Sequence, residues 1–182
     1  MAESLRILVA EDLPDNVQLL KLAFSRIGEN VPLNFVGDGQ QAIDYLKGEK
    51  AFRNRIKYPL PTLLLLDLRM PRLDGFEVLK WLRLQPGLRR LVVVVFSSSD
   101  EPNDINRAYD LGANSYIVKP ASFNKLEETV LNLEKYWFTL NACPDCLPEQ
   151  TSALPVDAGL GPQYPDAVFG ATAEVAHPEL RA

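Results

Sequence analysis

The residues best suited to chemistry in this 182-residue chain are acids, hydroxyls and one lysine that stand immediately after apolar runs. Glu11 and Asp12 follow LRILVA, Asp67 closes TLLLLD, Ser97, Ser98 and Ser99 follow LVVVVF, and Lys119–Pro120 follows SYIV. Any one acid in such a place is ordinarily a solvated turn or a helix cap, and the serine run alone could cap a helix starting at Asp100. Jointly they put three carboxylates, a hydroxyl and an ammonium on one rim, provided the apolar runs are neighbouring strands. Carboxylates held close repel one another unless a cation lies among them. A hard divalent ion such as Mg²⁺ suits that role, since it takes oxygen ligands and keeps several waters. Lys119 would add positive charge without competing as a ligand, and a cis Lys119–Pro120 bond would aim it into the cleft. An Asp in this setting can act as a nucleophile and form an aspartyl phosphate, with the cations offsetting charge on the transferring group.

The elements that must position these groups are legible from periodicity. Strands are expected at 5–10, 33–36, 62–67, 91–96 and 115–118, of which 62–67 and 91–96 lack polar alternation, as strands covered on both faces do. Helices are expected after Pro14, after Asp38, over 76–82, from Asp100 to Leu111 before Gly112, and from Phe123 to Trp137 with the stripe Leu126, Val130, Leu133 and Trp137. Five strands alternating with five helices predict an α/β fold: a doubly wound, five-stranded parallel sheet with helices on both faces. Ligands in such folds bind beyond the carboxyl ends of the strands, where the reactive residues stand.

Charge divides the chain. Residues 1–140 hold 18 basic and 18 acidic side chains, whereas 141–182 hold one Arg and six acids, so the whole net charge of −5 belongs to the last segment. That segment also carries six of the 14 prolines and stretches such as PVDAGLGPQYPD without helical or strand period. The expected organisation is a domain over 1–140 and a Pro-rich, acidic, disordered tail over 141–182. The balanced domain argues against binding nucleic acid by charge. No apolar run approaches a membrane span, and the first residues lack a signal-peptide pattern. Two cysteines cannot build a disulfide framework, which favours the cytoplasm.

AED (10–12), LLLLDLRMPRLDG (63–75), VVVFSSSD (93–100) and GANSYIVKP (112–120) together resemble the receiver domains of two-component response regulators, over about residues 4–138. The resemblance implies the flavodoxin-like strand order 2-1-3-4-5. It implies that Asp67 accepts phosphate from a sensor histidine kinase, and that Glu11, Asp12, Asp67 and the main-chain carbonyl of Arg69 hold Mg²⁺. Ser97 and Lys119 would contact the phosphoryl group, and Ser97 and Tyr116 would form the switch. Asp74 is expected to cap the third helix rather than to bind metal. The positions of Arg69 and Ser99 are, by the same resemblance, ones that tune dephosphorylation, and Arg69 is a bulky cation there. The rim of the first helix, by the same likeness, docks the kinase.

The segment GEKAFRNRIKYPLPT before the third strand, the VVVFSSS run and the YW pair near the last helix's end are similar to regulators paired with bacterial phytochromes. That likeness implies a stand-alone receiver, a bacteriophytochrome as candidate kinase, and a homodimer. Tyr136, Trp137 and Phe138 are the dimer candidates, because three consecutive aromatics cannot all face inward on an α-helix. Trp137 fits equally well as the end of the core stripe.

Weaker signals remain. Cys143-Pro-Asp-Cys146 has metal or redox half-site spacing, but it follows a helix end and the one histidine is His177, so a proline-containing turn is the simpler reading. Arg53, Arg55 and Lys57 read as a solvated basic face. The function expected is signalling by a phosphorylated receiver, not enzymatic turnover. The rival is a Mg-dependent flavodoxin-like phosphate-ester hydrolase, which the absence of a Gly-rich phosphate loop after the first strand disfavours. A transcription factor with its own output domain is not expected, since the tail lacks the periodic helices of a helix-turn-helix.

Overall fold

Strands with no polar alternation need cover on both faces, and the computed structural model, which describes residues 6–26 and 31–142, supplies it. The elements run β1 (Ile7–Ala10), α1 (Pro14–Arg26), β2 (Leu33–Val36), α2 (Gly39–Lys47), β3 (Leu63–Leu66) and α3 (Gly75–Arg83). They continue with β4 (Val92–Ser97), α4 (Pro102–Asp110), β5 (Ser115–Val118) and α5 (Phe123–Glu134). All strand pairs are parallel, in the order β2-β1-β3-β4-β5. Successive residues of the central strands feed opposite layers. Leu8, Leu64, Leu66, Val93 and Val95 pack with α2, α3 and α4, while Ile7, Val9, Leu63, Leu65, Val92 and Val94 pack with α1 and α5. The expected doubly wound fold and strand order are therefore observed.

The register levels the carboxyl ends. Ala10 pairs with Leu66 and Leu66 with Val95, and the ladder continues one step as the Asp67 N–H donates to the Ala10 carbonyl at 3.0 Å. β2 lies at the sheet edge, away from that rim's centre.

Three local expectations shift. The fourth helix begins at Pro102, not Asp100: the residue before a proline is pushed out of the α region, and Glu101 is extended with ψ 125°. The serine run consequently does not cap it, and Ser97 is instead the last residue of β4. The last α-helix ends at Glu134 and continues as a π-helical turn, Lys135–Leu140, closed by the Asn141 N–H on the Tyr136 carbonyl at 2.8 Å. The wider turn lets both Trp137 and Phe138 lie against the α1–α5 core while Tyr136 is 52% exposed.

The basic group before β3 is not simply a solvated face. Arg55 donates to the carbonyls of Tyr45, Leu46 and Tyr58, at 2.7, 2.7 and 3.2 Å, ending α2. Gly48 makes room for it: φ is +74°, and a Cβ there would lie 2.6 Å from the Arg55 Nε. Arg53 and Lys57 are exposed, as read from the sequence. The Cys143–Cys146 motif and all but the first two residues of the expected tail lie outside the described residues.

Candidate functional site

The acceptor strand and the helix after it meet closely because of one glycine. A Cβ on Gly75 would lie 2.3 Å from the Asp67 carbonyl oxygen, so only glycine allows α3 to start against the end of β3. Asp74 caps that helix in a reciprocal box with Glu77, each donating a backbone N–H to the other's carboxylate, at 2.8 and 2.9 Å. Its carboxylate is thereby occupied as a cap, as expected. The loop between is pinned at Arg72, which has φ +69° and pairs with the wholly buried Asp38 that caps α2.

Glu11, Asp12 and Asp67 each offer a carboxylate oxygen within 4.8 Å of the others. Glu11 and Asp67 are 2% and 5% exposed. Each Asp67 oxygen has a separate task. Oδ1 accepts from the N–H groups of Leu68 and Arg69, at 2.6 and 3.3 Å, and Oδ2 pairs with Lys119 Nζ at 2.5 Å. The same Nζ reaches Glu11 Oε2 at 2.7 Å, while Glu11 Oε1 accepts from the Asn16 side chain at 2.8 Å. Lys119 makes these contacts with a trans peptide to Pro120, and the cis alternative weighed from the sequence is not adopted: no cis bond occurs among the described residues. Its N–H donates to the Ser97 carbonyl at 2.8 Å, and that ladder bond is enough to point the side chain over the rim.

Three carboxylates and one ammonium leave a formal charge of −2 (−3 plus +1) at the rim. One divalent cation cancels it, and the donors are all oxygens, so the residues fit a hard ion of the Mg²⁺ or Mn²⁺ type.

Beside the acids, Ser97 is fully buried and its Oγ accepts from the Ser99 N–H at 3.5 Å. Tyr116 packs against the core beneath α4, and its hydroxyl donates to the Ser99 carbonyl at 2.9 Å. Burial pushes the Tyr116 phenol up, keeping it a neutral donor. The Arg69 side chain pairs with Asp104 at 3.0 Å, and Asp104 also accepts the Ser99 hydroxyl at 2.6 Å. The structure thus gathers Glu11, Asp12, Asp67 and Lys119 directly; Ser97 and Arg69 are joined to them through one hydrogen bond each, and Tyr116 through Ser99 and Ser97. Tyr136, Trp137 and Phe138 belong to the π-helical turn and not to this group. Sequence reasoning missed Asp104 and the Arg72–Asp38 pin. The former resembles any first-turn acid on a helix, and the latter depends on a positive φ that no residue type announces.

An α/β sheet with an acid-rich, lysine-crossed cluster at its carboxyl rim is an arrangement suited to a divalent cation at the usual binding edge of such sheets. Comparison with known proteins is specific: residues 7–131 match the response regulator receiver domain, and the chain belongs to that family. A curated relative, the probable methanogenesis regulatory protein FilR2 of Methanothrix harundinacea, is 38% identical over 138 residues, covering 76% of this chain and 86% of its own. Among solved structures, the phosphorylated cyanobacterial phytochrome response regulator RcpA superposes with TM-score 0.71 at 34% identity, covering 76% of this chain and 97% of that one. The Mn²⁺-bound form of Rcp1, a response regulator of Synechocystis sp., gives 0.69 at 30% identity, covering 76% and 98%. The chain is therefore a receiver-domain response regulator homologous to phytochrome response regulators, and the hydrolase reading is not favoured. Among the described residues no helix is long and apolar enough to cross a membrane.

Proposed function

We propose that Asp67 accepts a phosphoryl group from a phosphohistidine of a sensor histidine kinase and that the phosphorylated domain signals by changed self-association or partner binding. A carboxylate oxygen of Asp67 bonds to phosphorus as the P–N bond to the kinase imidazole breaks. The bond's electrons stay on the imidazole nitrogen, and a proton carried on the ring's other nitrogen lets the kinase side chain leave as neutral imidazole. The observation that carries the reading is the Lys119 ammonium bridging Asp67 and Glu11 inside a cluster still two charges short of neutrality.

Glu11, Asp12, Asp67 and the Arg69 carbonyl would hold Mg²⁺, whose charge would offset that of the phosphoryl oxygens. Lys119 orients the acceptor and neutralises the group transferred; the Ser97 hydroxyl is available to donate to it. Ser97 and Tyr116 then serve as the switch, since Tyr116 is tied to the loop after Ser97 through the Ser99 carbonyl. The likeness to RcpA supports a bacteriophytochrome as kinase. The exposed Tyr136 beside the half-buried Trp137 and Phe138 supports a homodimer through the π-helical turn. Residues 1–140 would form the receiver and 141–182 a separate tail, in a cytoplasmic protein that signals rather than turns over substrate.

The test is phosphotransfer from labelled sensor kinases, followed by sedimentation with and without label. Label on the parent chain with a change in its sedimentation is the expected result. Label that persists in Asp67→Asn would refute the assignment, and a monomer in both states would refute the dimer.

A further inference from the structure

Arg69 stands two residues past the acceptor, and its N–H already donates to Asp67 Oδ1. Its guanidinium is nevertheless paired elsewhere, with Asp104 Oδ2 at 3.0 Å in the first turn of α4. That same Asp104 oxygen accepts the Ser99 hydroxyl at 2.6 Å, and the Ser99 carbonyl accepts the Tyr116 hydroxyl. One carboxylate oxygen therefore ties together the loop after Asp67, the loop after β4 and, through Ser99, the switch tyrosine of β5. One turn further along α4, the Arg107 guanidinium lies 4.0 Å from the centre of the Phe76 ring at the start of α3. Besides the apolar packing of Ala108, two cations thus join α4 to the acceptor side, and of the two only Arg69 lies beside the acceptor.

We infer that Asp104 is a positioning residue: it holds the Arg69 guanidinium off Asp67 in the resting protein and yields it to the phosphoryl oxygens once Asp67 is modified. The inference rests on the phosphorylation of Asp67 proposed above. Its physical basis is a competition between two anions for one cation. The Arg69 side chain is 69% exposed, and an exposed pair of this kind is weak and screened. A phosphoryl group brings nearly two negative charges and three acceptor oxygens next to Arg69's own backbone. Guanidinium engages such a group through two parallel hydrogen bonds, where Asp104 offers a single oxygen already shared with Ser99. Transfer of the guanidinium leaves Asp104 bound to Ser99 alone, so the charge change at Asp67 is passed to α4 without any movement of the sheet.

The experiment measures binding of beryllofluoride, a phosphoryl mimic, in the presence of Mg²⁺ by calorimetry. Asp104→Asn keeps an oxygen acceptor for Ser99 but removes the charge that competes for Arg69. It is expected to tighten beryllofluoride binding by about two- to fivefold, the range that one exposed ion pair allows. In an Arg69→Ala background the same substitution is expected to change nothing. An equal gain in that background, as simple removal of a negative charge would give, overturns the inference, and so does an unchanged or weaker affinity with Arg69 present. Failure of the parent reading looks different: beryllofluoride would then bind Asp67→Asn as well as it binds the parent chain.

Discussion

Among the described residues, the surroundings of Arg55 and the carboxyl rim both bury charge, and they balance it differently. Around α2 and the segment that follows it, Arg55 is satisfied by three main-chain carbonyls, and the buried Asp44 is paired with Lys50 at 2.7 Å and Gln40 at 2.9 Å. Burial works against the Asp44 carboxylate, yet the Lys50 and Gln40 bonds hold it below its ordinary range. Each of these buried groups has a fixed partner within the protein. At the rim, Lys119 is shared between Glu11 and Asp67, Asp12 stands close by, and two negative charges remain uncompensated. A buried charge met by fixed partners holds a loop in place, whereas a cluster with charge to spare is prepared for something that arrives. The difference marks which region is scaffold and which is site.

Removing Lys119 strains that contrast most. Lys119→Met leaves Glu11 and Asp67 facing each other, and breaking a buried pair in this way costs about 3–5 kcal/mol. The full loss is expected in a chelator, and a smaller one with millimolar Mg²⁺; denaturant melts in both buffers check this. Equal losses would mean that the rim holds no ion.

The scaffold region should respond to pH instead. Burial pushes the Tyr45 phenol from 10.0 up to about 12, and its hydroxyl donates to the Pro59 carbonyl at 2.9 Å. The folded state therefore binds this proton more tightly than the unfolded chain. The stabilisation is complete below pH 10 and disappears as pH climbs towards 12, a difference of about 2–3 kcal/mol. Melts of the parent chain and Tyr45→Phe across that window measure it. A Tyr45→Phe profile as steep as the parent's would dismiss Tyr45 as the source.

The smallest effect sharpens the contrast further. Arg55→Ala removes the donor shared by three carbonyls in a partly solvated place, for a loss of about 1–2 kcal/mol. The loss should be the same with and without Mg²⁺, and phosphotransfer to Asp67 should proceed. A metal-dependent loss would show that the two regions are not independent.

Legibility of the site followed the reach of the interactions. Glu11, Asp12, Asp67, Ser97 and Lys119 could be read because each stands at or just past the end of an apolar run, and the register of a parallel sheet brings strand ends level. Asp74 could be read as a cap because its partner is only three residues away. Arg55 could not, since a basic loop residue looks the same whether it meets water or carbonyls. The aromatic run at the end of α5 was half legible. An exposed member was required on an α-helix, but the π-helical turn seats Trp137 and Phe138 together, which a 3.6-residue period does not allow.

What the sequence determined by itself is therefore the order of strands and helices and the residue types delivered to the rim. These follow from periodicity and from adjacency along the chain. Only the tertiary structure decided that Lys119 divides itself between Glu11 and Asp67, and that Arg69 faces Asp104. The partners in these contacts stand 52 and 35 residues apart for Lys119–Asp67 and Arg69–Asp104. Pairings at such separations are chosen by packing, which places competing partners within reach, and by the local balance of charge, which selects among them.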